Sequence, residues 1–446
     1  MTKYKKIAII GFGKEGQAVL EYFKDKVEQI DIYDQLVIEL ELPKNITTYK
    51  HLDLQQNYDQ IFKSPGISFH KITHLGSPIN STELQFNSLT NLLFEKINKK
   101  QLIAVTGTKG KSTTASLIKH ILTKNGQKAE LLGNIGNINL DILYQTEGNQ
   151  FYVFEVSSFQ SEFLQHSPHI AVFTSFYLDH QDVHANVGEY LNAKLNLINK
   201  QDSTDLVLFS EQFAQVMKVN KLKLPIQAKI VKAKHIFKTK LLGQHNQINC
   251  QLAMETCLTL GITEDKILAA IETYQPLEGR LEFIGNFKDI NFYADDLATI
   301  PEASWSAINS FNPDLLETII IGGHDKGLDY TDLANKLTRT RIKNFICFEP
   351  TGSKITIELD RAKVNVMTAK SMYKAVELAY KLTGQNKICL MSCASASFGL
   401  FKNAYDRGNQ FREEVKSQST KVDEEKSNNS KTTFKPKPKK KFKPRR

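Results

Sequence analysis

The residues that could handle phosphate lie most densely between Ala104 and Leu122, AVTGTKGKSTTASLIKHIL. An apolar run enters a glycine-rich loop, and the loop enters a helical pattern. Backbone N–H groups of Gly107, Thr108, Lys109, Gly110, Lys111 and Ser112 can wrap an anion at a helix N-terminus, where the peptide dipoles favour negative charge. Lys111 would neutralise phosphate oxygens, and Ser112 or Thr113 could hold magnesium. The spacing differs from G-x-x-x-x-G-K-[ST], because Val105 stands where that pattern needs its first glycine. A nucleotide site outside the ordinary P-loop NTPases is expected; a plain strand-to-helix turn with surface lysines is the alternative.

A second turn, G-F-G-K-E-G, sets Gly11, Gly13 and Gly16 between a strand and a helix, and Asp34 ends the next strand. Glycines let the backbone approach a diphosphate, and the acid suits a ribose hydroxyl. NAD(P), another nucleotide diphosphate and a purely structural turn all meet that pattern. Metal-type ligands are dispersed: Glu155 in FEVSSFQ, then Asp179, His180, Asp182 and His184 in LDHQDVH. Carboxylate and imidazole beside a phosphate loop suit Mg²⁺ or Mn²⁺, while a solvated loop explains D-H-x-D-x-H equally well. Lys194 alone reads as an ordinary snorkelling lysine. In GQHNQIN, capping explains Asn246 or Asn249 as well as ligand binding does. Arg280 is a hinge cation or a surface charge, and Lys326 in the turn IGGHDKG could grip a carboxylate.

Positioning these groups takes a repeated alternation of strands and helices. KYKKIAII, QIDIYD and YDQIFKSPGI read as strands, with QAVLEYFKDK as a helix between the first two. LIAVTG, FYVFEVSS and HIAVFTSF read as buried strands of a second series, which includes the helices STTASLIKHILTKNG and VGEYLNAKLNLINK. DINFYADD, ETIIIGG, IKNFICFEP, KVNVMTA and NKICLMSCA form a third. The fold class is therefore α/β with parallel sheets in three domains, placed at 1–92, 93–278 and 279–415. Residues 416–446 lack apolar periodicity and are expected to be a disordered Lys/Pro-rich tail.

Composition excludes several classes. No apolar run is long enough for a membrane span. The N-terminus enters a strand pattern without a cleavage site, so it reads as mature structure. Five scattered cysteines make no C-x-x-C pair, which favours a reduced cytoplasmic compartment and no zinc site. The net charge of +10 concentrates in the tail: residues 416–446 hold 12 Lys+Arg against 3 Asp+Glu, so +9, leaving +1 for the rest. With few aromatics in that tail, weak non-specific anion affinity is expected and no specific nucleic-acid partner.

Taken together, the stretches resemble the Mur ligase family of peptidoglycan synthesis over about 1–415. GTKGKSTT is similar to that family's ATP loop. FEVSSFQ, the DHQDVH segment followed by Ala193-Lys194, GQHN, LEGR, GGHDKG and the stretch from Ser397 to Phe411 follow in the family's order. The resemblance implies three domains: a Rossmann-like domain for UDP, a central ATP-binding sheet and a Rossmann-like domain for the incoming amino acid. UDP-substrate contacts would come from Gly13, Lys14, Glu15, Asp34, Gln35, Ser64, Pro65, Gly66, Asn134, Ser157 and Gln160. ATP would meet Gly107 through Thr113, with Asn246, Arg280 and Asp295. Ser112, Glu155, His180 and Lys194 would serve two Mg²⁺ sites, with Lys111, Glu155, His180 and Lys194 in the chemistry and Lys194 carbamylated by CO₂. Thr299, Lys326 and Ser397 would hold D-glutamate.

The implied reaction joins D-glutamate to UDP-N-acetylmuramoyl-L-alanine through an acyl phosphate, in a cytoplasmic monomer. The chain departs from the family pattern in its third domain. D-D-L-A-T-I replaces D-S-K-A-T-N, putting Leu297 for lysine and Ile300 for asparagine, while Gly399 and Ala404 replace an aspartate and an aromatic residue. A different acceptor, or a nucleotide-binding relative without ligation, stays open on that ground.

Overall fold

The run KIAII is apolar on both faces, as a strand covered from both sides must be. It forms β1 (Lys6–Ile10), flanked by β2 (Gln29–Tyr33) and β4 (Gln60–Lys63), with β3 (Ile46–Tyr49) and β5 (Phe86–Asn87) outside them. The order is β3-β2-β1-β4-β5, all parallel. The second sheet comprises β6 (Leu102–Thr106), β7 (Lys128–Gly133), β8 (Gln150–Glu155), β9 (Ile170–Phe173), β10 (Leu206–Ser210) and β11 (Ala228–Val231). It is also parallel, ordered β11-β10-β9-β6-β8-β7. The third comprises β12 (Glu282–Phe287), β13 (Ile290–Ala294), β14 (Leu316–Gly322), β15 (Asn344–Phe348), β16 (Asn365–Thr368) and β17 (Ile388–Met391). Its order is β12-β13-β17-β14-β15-β16, with β12 antiparallel at the edge.

This computed structural model describes residues 4–35, 42–51, 57–67, 86–135, 140–144, 150–179, 183–184, 186–225 and 227–430, with side chains to 420. The chain divides into two compact units, Met1–Leu277 and Glu278–Arg446. The first two sheets share one unit, joined by the Lys63–Glu162 ion pair at 3.1 Å and by Gln160 Nε2 donating to Glu15 Oε1 at 2.9 Å.

The last helix crosses the boundary expected at 415 and runs from Ala404 to Ser430. Phe411, Val415 and Gln418 recur at helical spacing and are buried, and the Gln418 amide donates to Tyr373 O at 3.0 Å. Only Gln418 of that face lies past 415, in a stretch rich in Ser, Thr and Asn whose helical signal is weak, and the first proline there is Pro436. Residues 431–446 lie outside the described residues.

Candidate active site

β6 pairs with β8 on one side and β9 on the other, so three strand exits share one carboxyl edge. Open α/β sheets bind ligands at such an edge. The first exit is the glycine loop. Gly107 has φ +144, and a Cβ there would stand 2.1 Å from Thr174 Oγ1. Gly110 has φ +89 and caps the Lys111–Lys124 helix without a side-chain bond, and its Cβ would meet Asn249 Oδ1 at 2.5 Å. Both positions therefore require glycine. Between them the loop is tied to the β9 exit. Thr108 N donates to Ser175 O at 2.6 Å and Lys109 N to Ser175 Oγ at 3.0 Å, while the hydroxyls of Thr174 and Ser175 donate to Lys109 O at 2.7 and 2.8 Å. The loop backbone is thus fixed at the N-terminus of a 14-residue helix, the arrangement that binds phosphate. Lys111 Nζ folds back to Thr108 O at 3.0 Å, and Lys109 pairs with Asp179 at 3.6 Å.

Glu155 ends β8 and is buried. Asn134 holds it twice, with Nδ2 donating to Oε1 at 3.0 Å and its backbone N to Glu155 O at 2.9 Å. Glu155 Oε2 is buried with no hydrogen-bond partner among the described residues. A buried carboxylate oxygen left without a donor is costly, and a cation beside the phosphate loop would satisfy it. Ser112, buried in the first turn of the loop's helix, offers a hydroxyl of the right chemistry. Among the described residues no three His, Cys, Asp or Glu side chains cluster as a metal site. A magnesium ion here would draw its other ligands from phosphate and water, as it commonly does.

Lys194 corrects the snorkelling expectation. It is buried in the helix Val187–Leu195, its Nζ donates to Gly107 O at 2.9 Å, and the ammonium lies 4.4 Å from the Tyr190 ring. Burial and then Lys111 push its pKa well below that of a free lysine, against the pull of Asp179 and Glu155. His180 and Asp182 lie outside the described residues. His184 is committed to packing: it is buried, stacks on Phe159 and lies 3.0 Å from Ser158 Oγ.

On the first sheet, Asp34 Oδ2 accepts from Phe12 N at 2.6 Å, and Ser64 Oγ donates to Gly11 O at 2.7 Å. The turn is therefore held from the exits of β2 and β4, with Gly13, Lys14, Gln35 and Gly66 exposed along that edge and Pro65 half-buried. Glu15 points inward. Burial raises its pKa, and its Oε2 has no partner among the described residues. Gln160 links Glu15 to Ser157, whose N donates to Gln160 Oε1 at 3.1 Å in a capping box. Asn246 stands behind the loop. Its Oδ1 accepts from Asn249 Nδ2 at 2.9 Å, while the N-cap of its helix is Gly243, so capping does not explain it.

In the second unit, Asp295 accepts from Ser392 Oγ at 3.1 Å. Burial lifts its pKa to about 6, opposed by nearby Arg280. The turn carrying Lys326 and the exit carrying Ser397 are bridged between His324 and Ala396, with His324 N donating to Ala396 O at 2.9 Å. Thr299 follows β13, which neighbours β17. The exits of β13, β17 and β14 thus share one edge. Ile300 is fully buried, and Gly399 has φ +87.

Beside this edge, Asp296 accepts from Arg412 Nη2 at 2.7 Å, and its carbonyl accepts from Arg407, which is fully buried. Arg412 also pairs with Glu282 at 2.7 Å, so removing Asp296 leaves the guanidinium with one carboxylate and costs a buried, charge-assisted hydrogen bond. Asp296→Ala should cost about 1–3 kcal/mol, read as a lowered urea midpoint of this unit's unfolding.

The residues not foreseen are Thr174, Ser175 and Tyr190, which position the loop without matching any motif. The one available signal was the polar Thr-Ser pair directly after the buried strand IAVF.

Residues 105–223 match the Mur ligase middle domain. A UDP-N-acetylmuramoylalanine–D-glutamate ligase from Aquifex aeolicus is 32% identical over 71% of this chain and 79% of its own length. The chain belongs to the Mur ligase family. One from Acetivibrio thermocellus is 28% identical over 93% of this chain and 97% of its own. Two solved Mur ligases of Thermotoga maritima share the fold. A MurF ligase in complex with ADP has TM-score 0.59 at 14% identity, over 94% of this chain and 96% of its own. A UDP-N-acetylmuramate–alanine ligase has TM-score 0.57 at 17% identity, over 93% and 100%. The middle-domain match spans the glycine loop, Glu155 and Lys194, the groups gathered on the edge of the second sheet. Among the described residues of this Mur ligase, no helix is long and apolar enough to cross a membrane.

Proposed function

We propose that this Mur ligase joins D-glutamate to UDP-N-acetylmuramoyl-L-alanine at the expense of ATP, as a step of cytoplasmic peptidoglycan precursor synthesis. One juxtaposition carries the reading: the glycine loop, a carboxylate with an unpartnered oxygen and a buried lysine lie on one sheet edge. The first sheet takes the UDP moiety at the Gly11–Gly16 turn, the second takes ATP, and the third takes the amino acid. The substrate carboxylate attacks the γ-phosphorus of ATP, ADP leaves, and an acyl phosphate forms. The amine of D-glutamate attacks its carbonyl carbon and loses a proton, and inorganic phosphate departs. Lys111 and the loop N–H groups offset the charge of the transferring phosphoryl group. Ser112 and Glu155, with His180, would hold magnesium, which supplies further charge neutralisation at those oxygens. Lys194 would carry a carbamate: burial and Lys111 favour its neutral amine, which adds CO₂ and loses a proton, and Lys111 would then face the new anion.

The test is phosphate release from ATP with UDP-N-acetylmuramoyl-L-alanine, Mg²⁺ and one amino acid at a time. Release that requires D-glutamate is the expected result. Release with another amino acid instead transfers the activity to a different acceptor, the reading that Leu297 and the buried Ile300 favour. ATP binding without release under any amino acid removes ligation altogether.

A further inference from the structure

One face of the first unit takes no part in the ligation site. The helix Glu211–Val219, the turn after it and edge strand β11 enclose a groove of about 530 Å³, whose lining includes Lys218, Lys221, Leu222, Leu224 and Ile230. Residues 218–232 hold five lysines and no acidic residue. Leu222, Leu224 and Ile230 are 36, 37 and 45% exposed, and Val219 beside them is 69% exposed. Lys232 pairs with Glu211 and Lys229 with Glu255, whereas Lys218, Lys221 and Lys223 have no ion pair among the described residues. Lys221 also has φ +57, the left-handed position that helix ends usually give to glycine. Folding alone therefore does not account for this mixture of unpaired lysines and exposed aliphatic side chains.

We propose that this face docks on an anionic phospholipid bilayer. Clustered lysines gain from the surface potential of acidic headgroups, and short aliphatic side chains between them can enter the headgroup boundary. Nucleic acid fits less well, since the face has no arginine and no exposed aromatic ring for stacking. An added peptide strand fits less well too, because Lys229 and Lys232 guard the sheet edge.

The full chain is sedimented with vesicles of pure phosphatidylcholine and with vesicles containing about one third phosphatidylglycerol. Binding is expected to the second kind only, weakening as salt rises. A Lys218→Ala, Lys221→Ala, Lys223→Ala variant should lower vesicle partitioning at least about tenfold, and Leu222→Ser with Leu224→Ser should lower it with the charge intact. Phosphate release should stay unchanged in both, which also shows that they fold. Three results each overturn the proposal: no vesicle binding, binding that both groove variants retain but deletion of 431–446 abolishes, or binding to polyglutamate without binding to vesicles.

Discussion

A Lys111→Ala variant should retain its fold and lose ligation, with kcat for D-glutamate-dependent phosphate release falling by about three orders of magnitude. Lys111 opens the helix that follows the glycine loop, and its ammonium already lies against the loop, donating to Thr108 O at 3.0 Å. Its positive charge therefore stands where phosphate oxygens would gather. The loop's backbone bonds come from Thr174 and Ser175, so removing the lysine leaves the anion cradle standing. Loss should appear in kcat more than in the KM for the UDP substrate, whose proposed turn lies on the first sheet. A loss in which ATP and UDP-substrate binding vanish together would mean that the fold, not the charge, had been removed. Turnover within tenfold of the wild type would remove Lys111 from the chemistry.

The second large effect is expected at Lys194. Lys194→Ala should lower turnover by about a hundredfold, and added acetate or formate should restore part of it. A buried ammonium beside a second lysine is an unfavourable arrangement, and converting it to a carbamate reverses the sign of that interaction. The truncated side chain leaves space into which a small carboxylate can enter. Loss without rescue would assign Lys194 to packing through its contacts with Gly107 O and the Tyr190 ring. Full activity would sink its role altogether.

Much of the candidate site was legible because phosphate chemistry uses local backbone. A strand, a glycine turn and a helix N-terminus lie within one continuous stretch, so GTKGKS and GFGKEG could be read directly. Asp34 and Glu155 were legible for a related reason, since each ends an apolar strand run and so falls at the ligand edge of a parallel sheet. Lys194 was legible only through the family resemblance, not from its own spacing. Its burial depends on the Val187–Leu195 helix packing over the glycine loop, a contact that sequence spacing does not encode. Asn134, expected near the substrate and its metal, clamps Glu155. Gln160 reaches the first sheet through Glu15. The last helix runs past the boundary placed at 415, because its buried face of Phe411, Val415 and Gln418 is too short to stand out against a polar composition.

The sequence by itself determined the α/β class, the three strand series and the two glycine turns, because local periodicity and backbone freedom dictate those. Tertiary structure alone decided which strand exits became neighbours. Pairing β6 between β8 and β9 brings Glu155, Thr174 and the loop together, and that order follows from burying both faces of the sheet. It also decided which polar groups lost water: Glu155 Oε2 and the Lys194 ammonium owe their candidacy to burial, which no single residue specifies.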